Sequence, residues 1–176
     1  MKRFFALLTA VAAVLSLAAC GGDTKEGRAG DTMETYFFEF TVNSATLTDD
    51  YEGYTPAEGN TLLVAEVTVK NTFQESIEMY DADFQLGWGD GEDDFAYPIT
   101  INTETMEEMD PVGENQLPGT YTLAVDEEQT GDLVYEVPTD LVDFSISYLE
   151  LFDDGSEEGE SGDTHFVYFT AEKPAA

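Results

Sequence analysis

An all-β fold, an antiparallel sandwich of about seven to nine strands, is predicted by three observations. Apolar and polar residues alternate in short runs from Thr35 almost to the end of the chain. Turn signals carrying glycine, proline, asparagine or aspartate separate those runs. No stretch shows the apolar period of an amphipathic helix.

The chain opens on an address. Lys2 and Arg3 precede the run Phe4–Leu17, broken only by Thr9 and Ser16. This charged, apolar, small-residue order marks a secretory signal over residues 1–19. The run is shorter than the roughly 20 residues a membrane span needs, and Gly21, Gly22 and Asp23 follow at once. Its end, Leu17-Ala18-Ala19-Cys20, resembles the bacterial lipobox at all four positions. That resemblance implies cleavage between Ala19 and Cys20 and diacylglyceryl modification of the Cys20 thiol. Two or three acyl chains on one residue make a lasting anchor, each buried methylene contributing about 0.8 kcal/mol. The expected location is the extracytoplasmic face of a bacterial cell membrane, or an outer membrane if the host has two. Cys20 is the only cysteine, so stability must come from packing.

Residues 20–30 contain Gly21, Gly22, Gly27 and Gly30 and no large apolar side chain, which predicts a flexible tether reaching roughly 17 Å. Residues 31–173 then form the folded domain. Thr35–Val42 places Tyr36, Phe38, Phe40 and Val42 on one face, with Phe37 the misfit. After the turn-rich Thr48–Gly59, the clearest strand, Thr61–Asn71, sets Leu63, Ala65, Val67 and Val69 against Glu66, Thr68 and Lys70. Phe84, Leu86 and Trp88 pass through Gly89–Asp94 into Phe95, Tyr97, Ile99 and Ile101, a hairpin. Thr103–Asp110 reads as one helical turn or a loop. Pro118-Gly119 introduces Tyr121, Leu123 and Val125, and Thr130-Gly131 is a turn signal before Leu133, Tyr135 and Val137. In the next run Phe144, Ile146 and Tyr148 alternate while Leu149 and Leu151 take the other parity, so either a bulge lies near Tyr148 or both faces are buried there. The wholly polar Asp153–Asp163 is a mobile loop ahead of a last strand, Thr164–Thr170.

These runs, in this order, resemble the telokin-like lipoproteins, an immunoglobulin-like family related in fold to a secreted mycobacterial antigen. The carriers are Tyr36–Val42, Gly59 followed by Val67–Asn71, Leu117–Gly119 and Leu133–Pro138. The family's glycine and following aromatic map onto Gly91 and Phe95 or Tyr97 across an acidic insertion. The resemblance implies an immunoglobulin-like sandwich on the cell surface and supplies no active site.

Charge bounds the partners. Lysine and arginine total 6 against 38 acidic residues. Removing Lys2 and Arg3 with the signal leaves 4 against 38, a net charge of −34. Such a surface repels phosphate, which excludes nucleic acid, and favours basic partners. His165 is the sole histidine and the sole thiol is expected to be acylated, so neither nucleophilic catalysis nor a zinc site is expected, and the chain is not expected to be an enzyme. Calcium is the better metal, because Asp81 and Asp83 before Trp88, then Asp90, Glu92, Asp93 and Asp94 in one turn, offer hard oxygens in excess, although the turn lacks EF-hand spacing. Tyr51, Tyr54, Phe37 and Phe73 form either a sugar- or peptide-binding patch or caps on the sandwich ends. Two functions follow: a non-catalytic, lipid-anchored module that binds a protein or envelope polymer, or a calcium-binding or cation-stabilised structural surface protein.

Overall fold

The computed structural model describes residues 22–89, 91, 93–152 and 160–173. Every regular element among them is a strand apart from one 3-10 turn at Asp81–Asp83, and the fold is the all-β sandwich that the alternation predicts. The strands are β1 (Thr24–Arg28), β2 (Thr32–Glu34), β3 (Phe38–Thr48), β4 (Asn60–Asn71), β5 (Ile77–Tyr80), β6 (Gln85–Gly87) and β7 (Phe95–Ala96). They continue with β8 (Ile101–Asn102), β9 (Glu107–Glu108), β10 (Thr120–Leu123), β11 (Glu128–Pro138), β12 (Asp143–Phe152) and β13 (Glu160–Thr170). The count exceeds the expected range because strands of two to five residues are too short to show a period: β1, β2, β5 and β9 have no counterpart in the sequence reading, and Pro98 splits one predicted strand into β7 and β8.

Two sheets face each other. One runs β11-β4-β3-β2 and the other β1-β13-β12-β6-β7. Among the described residues all pairings between strands are antiparallel except β1 with β13. Alternation places Phe38, Phe40 and Val42 of β3, Leu63, Ala65, Val67 and Val69 of β4 and Leu133, Tyr135 and Val137 of β11 in one core with Leu86, Phe144, Ile146, Tyr148, Val167 and Phe169. Burying each of the large side chains stabilises the fold by about 1.5–3 kcal/mol. Tyr135 is fully buried, and its hydroxyl donates to the Phe84 carbonyl at 2.8 Å. A smaller cluster on the outer face of β4 and β11 joins Leu62, Val134 and Ile99 under Tyr51 and Tyr54.

A two-stranded ribbon, β5 with β10, folds away from the β4–β11 pair. Asn71, fully buried, clamps this bend. Its Nδ2 donates to the carbonyls of Glu75 (2.9 Å), Leu123 (3.1 Å) and Ala124 (3.0 Å), and its Oδ1 accepts from the Phe73 amide at 2.8 Å.

The structure corrects several expectations. Residues 24–28 are not tether: β1 adds to the edge of β13 in register Thr24↔Thr164 to Arg28↔Tyr168. Backbone pairing needs no apolar side chain, so the polar composition concealed it. Lys25 lies 3.4 Å from Asp163, and Arg28 sits over the Tyr168 ring. Tyr36 precedes the strand and is 62% exposed, whereas Phe38, Phe40 and Val42 point inward as expected. Thr130-Gly131 is no turn but the interior of β11. A Cβ on Gly131 would lie 2.8 Å from the Asn115 carbonyl oxygen, so this glycine admits a crossing backbone instead. Thr103–Asp110 is neither helical turn nor plain loop; Glu107 and Glu108 pair with Asn102 and Ile101. Residues 160–163 of the predicted mobile loop belong to β13, and 153–159 lie outside the described residues.

Candidate functional site

The predicted sites fall largely beyond the description: Ala19, Cys20, Asp90 and Glu92 all lie outside the described residues. Of the acidic turn, Asp93 is exposed and Asp94 accepts the Gly91 amide on Oδ2 at 2.9 Å. Among the described residues, no three acidic, histidine or cysteine side chains converge as metal ligands. The aromatic residues grouped in the sequence reading separate to opposite ends of β3. Tyr51 donates to Asp132 Oδ2 at 2.9 Å over the outer cluster, while Phe37 and Phe73 pack edge-to-face or tilted with Tyr36 and Phe152 at ring-centre distances of 4.9–5.9 Å.

A groove opens where the two sheets fail to close. Strand β12 has β6 beside it only at Ser145–Ser147. From Tyr148 onward no strand among the described residues pairs with it on that side. The edge of β5 away from β10 is free in the same sense. Between them lies a cavity of about 280 Å³ with Ile77, Met79, Tyr80, Leu149 and Leu151 on its walls and Phe37, Phe38 and Tyr148 beneath. Leu149 and Leu151 are 41% and 55% exposed. Both faces of β12 are therefore not buried; the opposite parity of these leucines is real and turns them to solvent. A second cavity, of about 430 Å³, lies under Tyr54, Phe95, Tyr97, Asn102 and Glu136.

Beside the first groove sit the acidic residues of the 3-10 turn. Asp81 is 1% exposed; its Oδ2 accepts the Thr100 hydroxyl, and its Oδ1 has no hydrogen-bond partner among the described residues. Burial raises its carboxyl to about 6 against the pull of the Thr100 hydroxyl, with the charge of Glu108 adding to the rise. Burial also raises the Asp83 carboxyl, which lines the groove. A raised carboxyl holds its proton more tightly folded than unfolded, so its stabilising contribution is complete below pH 4 and is lost as pH rises through 6. Asp81→Asn is accordingly expected to raise stability at pH 7.5 by about 2–3 kcal/mol and to change it little at pH 4, in parallel urea titrations. Equal gains at both pH values would contradict the burial of this charge.

A polar cluster that the sequence reading missed supports the end of β12. Glu150 is 6% exposed; its Oε1 accepts the Tyr36 amide at 2.9 Å and lies 3.1 Å from His165 Nε2, and its Oε2 accepts the Asp163 amide at 3.3 Å. Opposite it β13 carries one residue too many: Leu149 pairs with Thr164 and Leu151 with Ser161, so Glu150 faces both Gly162 and Asp163. A Cβ on Gly162 would sit 2.7 Å from Glu150 Oε2. The bulge expected near Tyr148 is thus present two residues later and belongs to the partner strand. The available signal was a glutamate at the inward parity of Phe144, Ile146 and Tyr148.

Residues 28–157, which include both walls of the groove, match a family described as a domain of unknown function, DUF4352. The chain belongs to the DUF4352 family. Most of β1 and all of β13 lie outside the matched DUF4352 segment, although both complete its sheet. Among solved structures, the DUF4352 chain is similar to the Bacillus subtilis protein ycdA, named as a candidate lipoprotein, with 16% identity and a TM-score of 0.54 over 80% of this chain. It spans 38% of the ycdA chain. The yjhA protein of Bacillus subtilis is 21% identical over 69% of this chain and 79% of its own, with a TM-score of 0.47. A β-sandwich protein of Clostridium difficile is 15% identical over 85% of this chain and 96% of its own, with a TM-score of 0.46. No curated protein matches the chain.

Proposed function

We propose that the chain is a non-catalytic, lipid-anchored binding module of the bacterial envelope, displayed on the extracytoplasmic face of the membrane by diacylglyceryl-modified Cys20. The groove between β5 and β12 carries the binding part of this reading, since an apolar trough with exposed leucines on its rim is stabilised when a partner covers it. The sequence Leu17-Ala18-Ala19-Cys20 supports the anchor. So does the likeness to ycdA, itself named as a candidate lipoprotein. The telokin-like, immunoglobulin-like assignment is part of the same proposal. The partner is a protein or envelope polymer of low negative charge, and the 38 acidic residues argue against nucleic acid. No cofactor enters the reading.

The anchor is tested in a bacterial host fed an alkyne-bearing fatty acid. The full chain is expected to take up the label and to sediment with membranes. Cys20→Ser is expected to lose the label and the sedimentation. An unlabelled wild-type chain would overturn the anchor.

A further inference from the structure

We infer that the groove between β5 and β12 takes an extended, basic polypeptide segment as an added strand, pairing with both of its walls. The inference rests on the binding-module reading and deepens it.

Two free strand edges line one trough. Over Tyr148–Phe152 the outer side of β12 has no partner among the described residues, and across the cavity the same holds for Ile77–Tyr80 of β5. Main-chain donors and acceptors at such edges seek partners, and one extended segment laid between them can satisfy both rows. An apolar polymer or lipid chain would fill the volume without pairing the edges. The ribbon β5–β10 is only four residues long, so the seat fits a short segment.

The lining sets the side chains. An added strand would alternate residues into the trough, over Phe38 and Tyr148, and residues outward, between Leu149, Leu151 and Tyr80. Small β-branched residues suit the inner positions. Glu78 and Asp83 are the charged residues of the lining, no lysine or arginine joins them, and the mature chain carries 38 acidic residues against 4 basic ones. Lysine or arginine at the outer positions complements that field.

The probe is the peptide acetyl-Lys-Val-Lys-Val-Lys-Val-Lys-amide, titrated into the chain from residue 21 onward. We expect saturable binding below about 1 mM. Amide exchange is expected to slow at Ile77–Tyr80 and Tyr148–Phe152. Methylation of alternate peptide nitrogens should weaken binding at least tenfold, because it deletes the donors of one edge. The glutamate counterpart of the peptide should not bind. The double variant Leu149→Arg with Leu151→Arg changes two exposed side chains and is expected to fold normally, as its circular dichroism will show, yet to bind at least tenfold more weakly. Equal binding by the methylated peptide, protection elsewhere on the surface, or no binding of the parent peptide would overturn the inference. The Cys20 labelling reads the anchor independently, so a labelled chain that refuses the peptide removes the strand seat alone.

Discussion

Replacing Glu150 with alanine is expected to destabilise the chain by about 3–5 kcal/mol, a large part of the stability of a small domain. The carboxylate is nearly the sole acceptor for three donors: the Tyr36 amide, the Asp163 amide and His165 Nε2. His165 is 1% exposed, so its freed nitrogen could not turn to water, and each donor left unsatisfied costs about 1–3 kcal/mol. Glu150→Gln retains one carbonyl acceptor of the same length and is expected to lose less, about 1–2 kcal/mol. Urea unfolding would show the alanine variant's midpoint falling by roughly 2 M at an unchanged slope. A loss under 1 kcal/mol would mean that the bulge, and not the carboxylate, holds β13 against Tyr36. Combining Glu150→Ala with His165→Phe should recover part of the loss, since a buried donor then disappears with its acceptor.

The second large effect is expected at Asn71. Its amide reaches three carbonyls from two chain segments, so Asn71→Ala should cost about 3 kcal/mol and should loosen β5 and β10 before the two main sheets. Asn71→Asp is the sharper substitution. It keeps the size and the acceptor for the Phe73 amide but turns a buried carboxylate toward the oxygens of Glu75, Leu123 and Ala124. We expect it to be more destabilising than alanine at pH 7 and to recover as the pH falls below 5, where the added carboxyl takes a proton. Amide exchange at Met79 and Tyr121 reports the local loosening, and uniform exchange across all strands would argue against a clamp.

The strength of alternation decided which parts of this fold were legible in the sequence. Strand β4, with four apolar residues at Leu63, Ala65, Val67 and Val69, reads directly because one face is fully buried and the other is not. Strand β5 escaped, since Ile77 and Met79 alone make no period. Strand β1 escaped for the opposite reason: its stabilisation comes from backbone pairing to β13, to which side-chain hydropathy is blind. Glycine was ambiguous. Gly131 marks a close approach of Asn115 and Leu117 rather than a turn, and Gly162 makes room for a carboxylate; the two cannot be told from turn glycines without knowing what crosses them. The groove was invisible for a related reason. It is defined by strands that do not meet, and hydrophobic period says nothing about which edges remain unpaired. Leu149 and Leu151 did give notice of it by standing on the outward parity of β12.

For a chain anchored as proposed, strand β1 would also limit how the domain stands. Only four peptide steps separate Cys20 from Thr24, a contour of at most about 14 Å, and from Thr24 onward the chain is pinned to β13. With a lipid on Cys20, the leash is too short for the sandwich to tumble. Thr24 pairs with Thr164, next to His165 and the Tyr148 end of the groove, so in a chain anchored through Cys20 that end would lie nearest the bilayer. A module so anchored would scan a shell close to its own membrane, and the polypeptides within its reach would be those that pass through or lie upon that surface.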